Sequence, residues 1–164
     1  MQWDKARYEQ HCHWMEYALQ LAQEAGKAGE IPVGAVIVDA ENRIIGEGNN
    51  RKERDRAPTS HAEIIAINQA AQTLANWHLN GLTLYVTLEP CPMCSGAIIQ
   101  ARLGTLVYGA DDPKTGAVRS VLNLPDSAAS NHHLEVFGGI LDDRCREQLK
   151  QWFAQKRIIK KSPT

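Results

Sequence analysis

The sequence predicts a mixed α/β fold, a single sheet covered by helices on both faces. Three observations lead there. Apolar residues switch repeatedly between a helical period and short β-branched runs. The segments so defined fall in the order α-β-β-α-β-α-β-β-α, and an early hairpin makes two of the strands antiparallel. No repeat, low-complexity tract or Pro/Gly/Ser-rich linker divides the 164 residues, which are too few for two ordinary domains. The chain therefore reads as one domain over 1–164.

Each element has its own signal. Trp14, Tyr17, Ala18, Leu21, Ala22 and Ala25 recur at helical spacing, so the first helix is amphipathic and ends near Gly26 or Gly29. "IPVGAVIVD" is a buried strand, "AEN" a turn and "RIIGEGNN" its hairpin partner. "PTSHAEIIAINQAAQTLA" is a helix with Ile64, Ile65, Ile67 and Ala71 as its apolar positions. "LTLYVTL" is a strand, "PMCSGAIIQARL" a helix and "TLVYGA" a strand. Residues 111–131 are polar and irregular, and "HLEVFGG" is a last strand. A final helix over about 141–161 carries Leu141, Cys145, Leu149 and Trp152 on one side.

Bulk composition sets the outer limits. Hydrophobic residues make up 43% and charged residues 23%, an ordinary soluble balance. No apolar run approaches the roughly 20 residues that span a bilayer, and the charged N-terminus lacks the apolar core of a secretory signal. The expectation is a cytoplasmic protein with no membrane partner. A net charge of −1 argues against a surface coated in positive charge. It leaves room for a local patch: "KQWFAQKRIIKK" sets Trp152 and Phe153 among basic residues with no acid. That pattern suits phosphate contact with base stacking, or merely a solvated helix C-terminus.

Chemistry is concentrated at two helix starts. "TLYVTLEPCPMC" is a strand entering a helix whose first turn holds Cys91 and Cys94. "PTSHAEIIA" puts His61 and Glu63 in the first turn of another. Helix N-termini favour negative charge, so both thiols are eased towards the thiolate that binds metal. A redox dithiol would explain the cysteine pair but not His61 and Glu63. A structural zinc would need a fourth ligand, and none stands close by. Three ligands leave a position for water, the arrangement of a catalytic zinc site. Glu63 has a plainer reading, since Ser60 and Glu63 have capping-box spacing. Joined to His61 and the Pro90-Cys91-x-x-Cys94 run, however, it stands where a proton shuttle is needed. Cys145 reads as a small buried hydrophobe; Cys12 has no assignment.

The signature His61-Ala62-Glu63 with Pro90-Cys91-Pro92-Met93-Cys94 resembles the zinc-dependent nucleoside and nucleobase deaminases. Within that superfamily the chain is similar to the bacterial tRNA adenosine deaminases. The likeness runs from "EIPVGAVIV" through "GEGNNR", "LYVTLEPCPMCSGAI", "LVYGADDPKTGAV" and "NHHLEVFGGIL" to the basic-aromatic tail. Asn49 departs from it, because relatives commonly carry an aromatic residue there.

The resemblance implies a three-layer α/β/α cytidine-deaminase-like fold with a five-stranded mixed sheet, and one Zn2+ per subunit on His61, Cys91 and Cys94. It implies an amidine hydrolase that converts the wobble adenosine of an arginine tRNA to inosine, with Glu63 moving the protons. Asn50 would orient the purine, and the backbone of Val33, Gly34 and Ala35 would floor the pocket, although Gly34 could equally be a sheet-packing glycine. Asp112, Lys114, Asn131, His132, Phe153, Lys156 and Arg157 would meet the tRNA anticodon stem-loop, and the protein would be a homodimer. The rival enzyme reading is a deaminase of free guanine, cytosine or a nucleoside. A non-enzyme rival is an RNA-binding module with a structural zinc.

Overall fold

A computed structural model describes residues 4–161. Its strands are β1 (Gly34–Val38), β2 (Ile44–Asn49), β3 (Thr83–Leu88), β4 (Thr105–Ala110) and β5 (Glu135–Gly138). They form one sheet in the order β2-β1-β3-β4-β5. β1 pairs antiparallel with β2 and β3, whereas β3–β4 and β4–β5 are parallel. The helices are α1 (Lys5–Lys27), α2 (Lys52–Asp55), α3 (Ala62–Thr73), α4 (Pro92–Gln100) and α5 (Asp142–Lys161). The expected five-stranded mixed α/β sheet is therefore present, with one short helix, α2, that the periodicity did not foretell.

The two faces of β1 show how the layers assemble. Ala35 and Ile37 join a core with Ala66, Leu84, Ile98 and Leu106, beneath α3 and α4. Val36 and Val38 join Trp14, Met15, Tyr85, Val107 and Cys145, beneath α1 and α5. Alternate residues thus serve opposite layers, as the period of a strand requires. All five residues of β1 are buried. Asp4 caps α1 by accepting from the Ala6 amide at 3.2 Å, and the chain turns away just after the helix at Gly29, φ +88°. Cys145 is buried as expected, packed where a side chain on Gly109 would stand. Cys12 is half-buried.

Helix α3 differs from its expected face. Ala62, Ala66, Ile67 and Ala70 are buried, whereas Ile64, Ile65 and Ala71 are only half-buried. The cause lies in β2. A Cβ on Gly46 would stand 2.4 Å from the Ala66 carbonyl, and one on Gly48 would stand 2.5 Å from the Ala62 carbonyl. The helix rides directly on the strand backbone, so Ala62, Ala66 and Ala70 make up most of its closest face, with Ile65 beside Gly48. This contact fixes the start of α3 against the sheet.

Strand register gathers the site at one end of the sheet. Gly34 lies opposite Asn49, Ala35 opposite Val86, and Leu88 opposite Ala110. Val33, Asn50, Glu89–Cys91 and Asp111–Asp112 consequently leave the sheet together. Among the described residues no helix is long and apolar enough to cross a membrane.

Candidate active site

Two helix starts converge at this end. His61 is the N-cap of α3 and Cys91 the N-cap of α4, with Pro92 at the first helical position and Cys94 one turn in. His61 Nδ1 lies 3.7 Å from Cys91 Sγ and 3.5 Å from Cys94 Sγ. The three ligand atoms are within 4.8 Å of one another, a group that could hold a metal ion. The fit is good for zinc. Tetrahedral bonds of about 2.0–2.1 Å to nitrogen and about 2.3 Å to sulfur place N···S edges at roughly 3.5 Å.

The electrostatics match that use. A hydrogen bond shared with Cys94, aided by His61 and the Cys94 amide, holds the Cys91 thiol well below its usual range, to about 4. The same shared proton, together with burial, pushes Cys94 up. Glu63 is 4% exposed, and burial raises its carboxyl above the usual carboxylate range. The capping-box reading of Glu63 does not hold, because His61 rather than Ser60 occupies the N-cap.

A cavity of about 130 Å³ opens onto this group, lined by Ile31, Val33, Asn50, Lys52, His61, Ala62, Glu63, Leu88, Glu89, Cys91, Asp112 and Thr115. Asn50 is buried and tied on both sides of its carboxamide. Its Nδ2 donates to the Ile31 carbonyl at 3.2 Å, and its Oδ1 accepts from the Lys52 amide at 3.3 Å. Of the three expected floor residues only Val33 reaches the cavity. A Cβ on Gly34 would stand 2.1 Å from the Ala18 carbonyl, so that glycine serves the packing of α1 on β1. Ala35 points into the core beneath α3.

A second cavity, about 420 Å³, adjoins the first and shares Ile31, Asn50 and Lys52 with it. Trp152, Phe153, Lys156 and Arg157 line its outer side. Lys156 Nζ sits 5.2 Å from the Trp152 ring centroid. The last helix therefore brings its basic-aromatic stretch to the mouth of the site. Asp112 lines the first cavity while its carboxylate caps the amides of Lys114 and Thr115 at 2.9 and 3.2 Å. Lys114 is exposed and outside both cavities. Asn131 and His132 lie at the other end of the sheet, where His132 Nε2 meets the Leu103 carbonyl at 2.6 Å just before β4.

Two residues that sequence reasoning passed over hold the cavity walls. Glu89, 2% exposed, accepts from the amides of Asp112, Val118, Arg119 and Ser120 at 2.7–3.2 Å and from the Ser120 hydroxyl. Burial alone would raise its pKa, but these donors outweigh it and hold the carboxyl below its ordinary value. Glu30, 1% exposed, accepts from the Glu53 and Arg54 amides at 3.2 and 2.8 Å. Its position beside "IPVGAV" and that of Glu89 inside "LEPC" were the available signals: acids next to apolar strands.

The comparisons agree on the class of chemistry. Residues 9–157 match the model of the MafB19-like deaminase family. The chain is 48% identical over 157 residues to a tRNA-specific adenosine deaminase of Haemophilus influenzae, covering 96% of this chain and 91% of that one. It is 40% identical to the enzyme of that name from Bacillus subtilis, covering 91% and 92%. A solved structure from a study of A-to-I editing by tRNA:A34 deaminases at the wobble position superposes with a TM-score of 0.80 at 42% identity, over 83% of this chain and 98% of that one. The guanine deaminase of Nitrosomonas europaea follows at 0.73 and 26%, over 85% and 82%.

Proposed function

The chain belongs to the tRNA-specific adenosine deaminases of the MafB19-like deaminase family, and from that premise we propose that it hydrolyses the wobble adenosine of an arginine tRNA to inosine with one zinc ion per subunit. His61, Cys91 and Cys94 would hold the ion. Zinc in such a site supplies Lewis acidity, which makes hydroxide available near neutral pH.

The remaining work falls to the chain's own groups. The target adenine leaves the anticodon loop, whose bases are already partly unstacked, and enters the smaller cavity. The free hydrogen and lone pair of the Asn50 carboxamide orient the purine, with Val33 against it. Glu63 takes a proton from the attacking water as its oxygen adds to C6. The carboxyl passes that proton to ring N1, then takes the second one from the new C6 hydroxyl and gives it to the departing amine, so adenosine and water become inosine and ammonia. Phe153, Lys156 and Arg157 take the neighbouring base and backbone, and Asp112 shapes the cavity wall. Lys114 meets RNA farther out. The reading includes a homodimer and a cytoplasmic location, with Asn131 and His132 as further RNA contacts away from this cavity.

One observation carries the RNA part: the cavity over Glu63 continues into an aromatic and basic one. A deaminase of free bases has no use for that extension. The test compares inosine release from an anticodon stem-loop and from free adenosine, with free guanine and cytosine alongside. The stem-loop should be turned over far faster, with steep inhibition by salt; turnover confined to a free base refutes the proposal. Glu63→Ala should lower kcat by roughly 10²–10⁴-fold while stoichiometric zinc and RNA binding persist. Retained activity would remove Glu63 from its role.

A further inference from the structure

The boundary between the two cavities consists of Ile31, Asn50 and Lys52. A base in the first cavity and a neighbouring base in the second must be joined by a phosphodiester that crosses this boundary. Ile31 is apolar there, and Asn50 is neutral and tied to the Ile31 carbonyl and the Lys52 amide. Lys52 alone of the three carries charge. Its ammonium forms no ion pair within 4.0 Å among the described residues.

The nearby buried carboxylate does not compete for it. Glu30 accepts the Glu53 and Arg54 amides and pairs with Arg54 Nε at 3.5 Å. Those same bonds pin the backbone of α2, so Lys52 extends from a fixed anchor. An exposed ammonium on a fixed backbone, at the boundary that the anion must cross, can take the phosphate without breaking an existing ion pair. We infer that Lys52 binds the phosphodiester linking the target nucleotide to the neighbour held by Trp152 and Phe153, and so positions the adenosine in its cavity. The inference rests on the tRNA reading above.

Three stem-loops separate the possibilities: the natural one, and two with a single uncharged methylphosphonate on the 5′ or the 3′ side of the target adenosine. On the natural stem-loop, Lys52→Met raises KM roughly threefold or more and reduces the log–log salt slope by about 0.7, the value for one phosphate contact on a single strand. Lys52→Arg stays near the unaltered protein. With the methylphosphonate at one of the two positions, the unaltered protein and Lys52→Met have the same KM; with it at the other, the gap persists. A gap of equal size on all three substrates, or none on the natural one, overturns the assignment. Failure of the tRNA reading looks different: the unaltered protein then releases no inosine from the natural stem-loop, which is seen before any variant is compared.

Discussion

The base cavity lies between an irregular segment and the Asn50–Lys52 entry into the short helix α2, each anchored by one buried carboxylate, yet the anchors differ in kind. Glu89 holds residues 112–120 with four amides and a hydroxyl, all neutral donors. Glu30 holds residues 53–54 with two amides and the Arg54 guanidinium, whose Nη2 also donates to the Asn50 carbonyl and to Asn49 Oδ1 at 2.9 and 3.0 Å. The carboxylates are equally buried, so burial does not distinguish them; their partners do. The first wall is sealed by backbone donors and can offer the base only a fixed shape. The second is tied in part through a cation, Arg54, which lies behind the lining residues Asn50 and Lys52 rather than in either cavity. One wall is fixed by shape alone, and charge shares in fixing the other.

Removing the first anchor is expected to have the largest effect. Glu89→Ala leaves several buried N–H groups without an acceptor, at about 1–3 kcal/mol for each that water cannot reach. A net loss on the order of 3–5 kcal/mol should appear in urea unfolding. Activity should fall with it, because a wall displaced by about 1 Å can cost on the order of 10²-fold in kcat/KM. Glu89→Gln keeps one oxygen but turns an amino group towards existing donors, so it should fall between the two proteins.

Gly116→Ala breaks the same wall without touching the charge. Its new methyl carbon would stand 2.3 Å from Glu89 Oε2 and 2.6 Å from the Asp112 carbonyl. Neither atom can give way, since one is saturated with donors and the other is backbone. The cost of such overpacking is about 1–3 kcal/mol. A Gly116→Ala protein as stable and active as the original would mean that this wall is not rigid.

The contrast between walls also marks what could be read from the sequence. The convergence of His61, Glu63, Cys91 and Cys94 was legible because a metal-holding group calls for fixed residue types at short spacings, and the helices and strands because burial imposes a period. Helix α2 was not: "KERD" has no apolar position, and it is held by Glu30 from more than twenty residues away. Residues 111–131 read correctly as irregular, yet nothing in them shows that Glu89 organises their first part. The alanine face of α3 was misjudged because the isoleucines are larger, while the deciding residues, Gly46 and Gly48, lie on another element. Periodicity reports a segment's own pattern; a long-range hydrogen bond or a backbone contact leaves no such trace.

The smallest expected effect belongs to the second wall. In Glu30→Ala the amides of Glu53 and Arg54 lose their acceptor, but α2 has no buried residue, so water can replace it. A loss of about 1–2 kcal/mol follows, below that of Glu89→Ala. Its kinetic signature should differ as well, with KM for the stem-loop rising more than kcat falls, because α2 with Lys52, and Asn50 before it, loosen while Glu63 stays in place. Arg54→Met should cost less still, within about 1 kcal/mol for a partly exposed pair, and the double variant should show weak coupling. Should Glu30→Ala instead match Glu89→Ala in both stability and kcat, the ion pair would be as structural as the amide cage, and the division between shape and charge would fail.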